Sequence, residues 1–170
     1  TLNSGTGYQE GDQYPGSEKL AEFVHNRVLA AGKTFYSSYK AYGANGKNGI
    51  YSANLGEVNA SVNNKMPSII VELAFHTSKT DAPMLRNPKF RDIVSRAAYQ
   101  GIVQYYADEA KTEAVFLPES PRNLRTKTNA NGSVTLFWDA PESDAPNYYK
   151  GHPATGYFVQ TSTAADAFLD

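Results

Sequence analysis

Residues 66–77 read MPSIIVELAFHT. A proline opens the run, and one charged residue, Glu72, interrupts it. Ile69, Ile70, Val71, Leu73, Ala74 and Phe75 are the pattern of a strand buried on both faces, as in a parallel sheet. A carboxylate in such a strand is costly unless it is paired, hydrogen-bonded or beside a metal. Glu72 is therefore either a structural ion-pair partner or the working group of an active site.

Working outward, the flanks read as helices. Ser17 is expected to cap a first helix, with Glu18 at its positive end. Leu20, Phe23, Val24 and Val28 form its apolar stripe to about residue 31, where Gly32 is expected to stop it. Residues 3–16 and 42–54 read as loops rich in glycine and polar side chains, and 76–87 as a polar loop. Asn87 followed by Pro88 is a cap and first turn. From there Phe90, Ile93, Val94, Ala97, Ala98, Gly101, Ile102 and Tyr105 recur at three- and four-residue steps, the clearest amphipathic helix in the chain. Helix, buried strand and helix together predict an α/β domain, part of a three-layer arrangement on a mostly parallel sheet. Only one strand of that sheet is evident, so its partners are expected upstream of Thr1. The chain opens without an initiator Met or a signal-like segment, and both its ends are expected to cut through domains of a longer protein.

Composition shifts near residues 114–121, where Pro, Gly and Asn begin to separate short β-like runs. The predicted division is a first unit over 1–113, a linker over 114–120 and an all-β unit over 121–170. In that last unit 122–128 reads as a strand, 129–132 as a turn, and 133–138 as a strand with Val134, Leu136 and Trp138 on one face. Residues 155–162 follow with Tyr157 and Val159 on one face. Too few strands are present to close a sandwich.

The bulk composition narrows the function classes. Hydrophobic residues at 41% against 19% charged suffice for a packed core. A net charge of −1 gives no electrostatic basis for binding nucleic acid, and no apolar run reaches the roughly 20 residues of a membrane span. The absence of cysteine excludes disulfides, thiolate zinc sites and cysteine nucleophiles. Twelve tyrosines favour wet surfaces that meet carbohydrate or peptide. Tyr8, Glu10, Tyr14 and the 45–54 loop are candidates to line such a groove.

The first unit resembles the C-terminal part of the zinc-dependent N-acetylmuramoyl-L-alanine amidases of bacterial walls. The residues that carry the likeness are Gly16, Ser17, Leu20 and Ala21 opening the first helix, then Pro67 and the Val71-Glu72-Leu73-Ala74-Phe75 piece. Leu85-Arg86-Asn87-Pro88 and the later Gly101-Ile102-Val103-Gln104-Tyr105 complete it, in the same order and spacing over about residues 5–107. The all-β unit resembles the first half of a fibronectin type III domain, through Pro121, Leu124, the run 132–138 ending in Trp138, Pro141 and Gly156-Tyr157.

The resemblance implies hydrolysis of the amide between N-acetylmuramic acid and the L-alanine of peptidoglycan. It gives Glu72 the general acid–base role beside a zinc ion. The position fits, because ligands of open α/β sheets bind beyond the carboxyl ends of strands. The family's zinc ligands (a His in a Gly-rich loop, a Glu, and a His in a Ser-x-His-x-Asn segment) match nothing here, so zinc is expected to be held by residues upstream of Thr1. The family also places an Asn soon after the strand's Phe, where this chain has Thr77 and Ser78. His76 is expected to contact substrate or cap its loop rather than bind metal, since a strand end does not aim residues 72 and 76 at one ion. His25, on the flank of the first helix's stripe, is expected to be solvated, and His152 to be a structural loop residue. The implied setting is the periplasm or the exterior of a bacterial cell, with peptidoglycan as partner and the rest of the same protein as a second one. Two alternatives stay open: a non-catalytic wall-binding or adhesion protein that keeps the fold, and another zinc hydrolase of envelope polymers.

Overall fold

The strongest periodic signal forms the longest helix of the computed structural model, which describes residues 13–41, 49–51, 55–143 and 149–162. Helix α3 (Pro88–Ala110) starts where expected. The Asn87 side chain accepts the Lys89 N–H, and Pro88 occupies the first turn, where its missing N–H costs nothing. Phe90, Ile93, Val94, Ala97, Gly101 and Tyr105 are its buried face.

Helix α1 (Ser17–Phe35) is longer than expected at its C-terminal end. Gly32 does not stop it; that residue lies buried in the last turn, and the chain leaves the helix at Tyr36. Ser17 is not its cap either. Gly16, in the left-handed region at φ 90°, holds that position. The Ser17 hydroxyl instead donates to the Tyr14 carbonyl at 2.7 Å and accepts the Ser68 N–H at 3.1 Å, so its work is tertiary.

The two helices pack antiparallel. Lys19 at the start of α1 pairs with Asp108 and Glu109 at the end of α3, each at 2.6 Å, while Phe35 at the far end of α1 meets Phe90 at the start of α3. The ion pairs are exposed and screened, so apolar burial sets the stability of this contact. Leu20, Val24, Val28, Ala31, Phe90, Ile93, Val94, Ala97 and Tyr105 form one buried cluster. Gly101 lets the backbones meet: a Cβ there would lie 2.5 Å from Val24 Cα. That approach explains a glycine in mid-helix, where it is otherwise unfavourable by about 1 kcal/mol.

Residues 67–75 run beside α1 in the same direction. Ser68 is tied near its start, and Leu73 lies near its end through Tyr39. Ile69, Val71 and Leu73, alternate residues, pack on the helical cluster, which is the period-two contact of an extended chain. Among the described residues the segment joins no ladder, and residues 67–74 are half-buried with one side covered. The 76–87 stretch, expected as a polar loop, contains the short helix α2 (Asp81–Arg86). Ser78 begins it: its hydroxyl accepts the Asp81 N–H and its carbonyl the Ala82 N–H.

The last described part holds strands β1 (Arg122–Thr128) and β2 (Val134–Asp139), antiparallel, with a bulge between Arg122 and Arg125. The expected turn joins them, closed by the Gly132 N–H donating to the Asn129 carbonyl. β1 is exposed along its whole length, and on β2 only Thr135, Leu136 and Trp138 are half-buried. Residues 155–162 form no ladder among the described residues, but Tyr157 meets Trp138 edge-on at 5.1 Å.

The 114–120 stretch is docked on the helices. Phe116 is buried, the Arg27 guanidinium lies 4.7 Å over its ring, and His152 stacks on its other neighbourhood at 5.4 Å. The Phe116 N–H donates to His152 Nδ1 at 2.9 Å and the His152 N–H to the Phe116 carbonyl at 3.2 Å. Gln100, fully buried on α3, donates to the Lys150 carbonyl at 2.8 Å. Arg96 pairs with Glu119 at 2.5 Å and also donates to the Leu117 carbonyl. His152 thus has a structural role, as the sequence suggested.

Candidate functional site

The site is built around the end of the 67–75 segment. Glu72 is half-buried, in the register alternate to Val71 and Leu73, whose side chains face the helices. Three side chains hold the backbone of this segment in place of a ladder on the helical side. Ser17 takes the Ser68 N–H. The Tyr39 hydroxyl donates to the Leu73 carbonyl at 2.8 Å, and Asp81 accepts the Phe75 N–H at 3.2 Å. Half-buried amide groups need such partners, and these supply them from α1, the loop after it and the start of α2.

The segment ends in a turn closed by the Ser78 N–H on the Phe75 carbonyl, with His76 exposed within it. Glu72 therefore lies before this turn and His76 within it, one half-buried and one open to solvent. Thr80 is the N-cap residue of α2, and the Ser78 hydroxyl, two residues before it, accepts the Asp81 N–H at 3.2 Å. Tyr8 and Glu10, read as groove residues, lie outside the described residues.

Among the described residues no three His, Asp or Glu side chains converge on a common point. The donor set among the described residues does not fit a zinc cage.

His25 departs from expectation. It is buried rather than solvated, and with Ala21, Val24, Ile50, Ile69, Ile70 and Val71 it lines a small apolar recess between α1 and the Glu72 segment. Burial lowers its pKa from the ordinary 6.5. The folded chain thus keeps the imidazole neutral to lower pH than the unfolded chain does. Below 6.5 the unfolded state binds more protons, so stability falls as pH drops from there through the lowered folded value. We expect the urea midpoint of the protein to fall between pH 7.5 and pH 5.5, and His25→Gln to flatten that dependence. An equally steep dependence in the variant would assign the effect to other groups.

Tyr39 and Asp81 were not legible as functional residues. The signal that finds them is spatial: each side chain ends on the backbone of the Glu72 segment, Tyr39 at Leu73 and Asp81 at Phe75. Burial, and second the Asp81 carboxylate, push the Tyr39 phenol up to about 12, so it remains a proton donor to Leu73 at neutral pH.

Residues 5–104 match the N-acetylmuramoyl-L-alanine amidase family. A relative from Bacillus anthracis, described as an uncharacterized cell wall amidase, is 36% identical over 90 residues, which cover 53% of this chain and 14% of that protein. The match therefore spans about a seventh of that relative's length. No solved structure matches the chain. No helix among the described residues is long and apolar enough to cross a membrane.

Proposed function

Since the chain belongs to the N-acetylmuramoyl-L-alanine amidase family through residues 5–104, we propose that it forms part of a peptidoglycan amidase and contributes the proton-transfer carboxylate, Glu72. The reaction is hydrolysis of the amide joining N-acetylmuramic acid to L-alanine. The observation that carries this reading is the placement of Glu72: a half-buried carboxylate on a tethered segment inside the matched region, next to an exposed turn.

Amide hydrolysis requires a proton to leave the attacking water and another to reach the departing amine. A fixed carboxylate serves both steps in turn, as base and then as acid. In this reading His76, four residues on and exposed, contacts substrate or caps its loop and takes no part in proton transfer. The zinc implied by the family would polarise the amide carbonyl and acidify water, and its ligands would come from outside the described residues. We further propose that residues 67–75 are one strand of a mostly parallel sheet completed beyond them. The antiparallel β1–β2 pair and the Trp138–Tyr157 contact support a fibronectin type III module after it. The cell envelope is the setting that a wall substrate requires.

The test is product analysis. Purified peptidoglycan treated with the full-length protein is expected to release new amino termini of L-alanine without new reducing sugars. New reducing ends would point to a glycosidase, and amino termini of other residues to a peptidase; either result removes the amidase reading. A wall that is bound and left uncut would favour an adhesion role.

A further inference from the structure

The tethers on the Glu72 segment do more than hold it to the helices. The Tyr39 hydroxyl holds the carbonyl of Leu73, the residue after Glu72, at 2.8 Å. Asp81 Oδ2 holds the Phe75 N–H at 3.2 Å. Both holders are themselves fixed. The Tyr39 ring packs edge-on against Phe90 at 5.6 Å and lies over buried Gly32, where a Cβ would collide with it. Asp81 is buried, and its Oδ1 accepts the Thr80 hydroxyl at 3.1 Å. The backbone after Glu72 is thus held at two successive peptide groups, 73–74 and 74–75, on either side of the Ala74 Cα.

Resting on the amidase reading, we infer that Tyr39 and Asp81 are positioning residues: they set the direction of the Glu72 carboxylate by clamping the Leu73 carbonyl and the Phe75 N–H. A carboxylate that must reach a water and then an amine tolerates little displacement, since about 1 Å of misplacement costs on the order of 10²-fold in rate.

The experiment is a double-mutant cycle in the full-length protein, read as kcat and KM on soluble muropeptide. Tyr39→Phe keeps the ring packing and removes only the donor. It is expected to lower kcat by about tenfold with KM within about twofold. In a Glu72→Gln background the same change should alter the residual rate by less than about twofold, because the group it positions is gone. Asp81→Ala should behave as Tyr39→Phe does, and Asp81→Asn, which retains an acceptor oxygen for the Phe75 N–H, should restore most of the rate. Equal loss from Tyr39→Phe in both backgrounds would show a merely structural role and overturn the inference. So would full kcat in Tyr39→Phe and Asp81→Ala when Glu72→Gln is slow. If Glu72→Gln itself keeps full kcat, the acid–base reading fails first and the positioning role fails with it. Should Asp81→Ala not fold, the Tyr39→Phe pair and Asp81→Asn still decide the matter.

Discussion

Glu72→Gln in the full-length protein is expected to reduce turnover of peptidoglycan by about 10²-fold or more while leaving its thermal midpoint nearly unchanged. The substitution preserves shape while it removes the charge and the ability to take up and return a proton. The competing reading, a structural ion pair, predicts a different pattern. Breaking a buried pair costs about 3–5 kcal/mol, because the other charge is left without compensation. Glu72 is half-buried, so a structural role of that kind would still show as a clear fall in stability. The two readings therefore separate on paired measurements of kcat and urea midpoint. Lost turnover with an unchanged midpoint supports proton transfer. An unchanged turnover in a folded variant eliminates it. Lost turnover with a matching fall in midpoint returns Glu72 to the role of ion-pair partner.

How far the sequence disclosed this arrangement depends on the range of the contacts involved. Helix α3 was legible because its causes are local: Asn87 caps, Pro88 starts, and Phe90 to Tyr105 repeat at the helical period. The β1–β2 hairpin was legible for the same reason, through the 129–132 turn and the alternation of β2. The end of α1 was not. Gly32 carries the usual mark of a stop, yet it is retained inside the helix because the ring of Tyr39 needs the space beside it. His25 was misread because its cover comes from Ile69, Ile70 and Val71, far along the chain. Ser17 carries a cap's chemistry and spends it on Ser68. Glu72 stood out in the sequence as the one charge in an apolar run. Its holders, Tyr39 and Asp81, did not, since an ordinary tyrosine in a loop and an aspartate at a helix start give no pattern. Periodicity reports what a residue does for its own element, whereas the groups that aim a catalytic side chain act across elements.

The same dependence on long-range contact makes Phe90→Ala the substitution with the largest expected effect on stability. Phe90 is fully buried at the start of α3. Its ring meets Phe35 at 5.6 Å from the end of α1, and Tyr39 at 5.6 Å from the loop beyond. Truncation removes the transfer energy of the ring, leaves a cavity, and breaks two aromatic contacts at once. The expected cost is about 3–5 kcal/mol, a large share of the roughly 5–15 kcal/mol that holds an ordinary domain folded. Urea unfolding of the variant measures it, and Phe90→Leu, which refills much of the volume, should lose clearly less. A loss under about 1 kcal/mol would mean that the helix pair closes over the gap, and that this core does not govern stability. A second consequence follows from Tyr39. With Phe90 gone its ring lacks one of its supports, so its hold on the Leu73 carbonyl should loosen before the chain unfolds. In Phe90→Ala, turnover is therefore expected to fall at temperatures where the far-ultraviolet circular dichroism is still native, and more steeply than in Phe90→Leu. Turnover that tracks the folded fraction alone would separate the core from the site and leave Phe90 a purely structural residue.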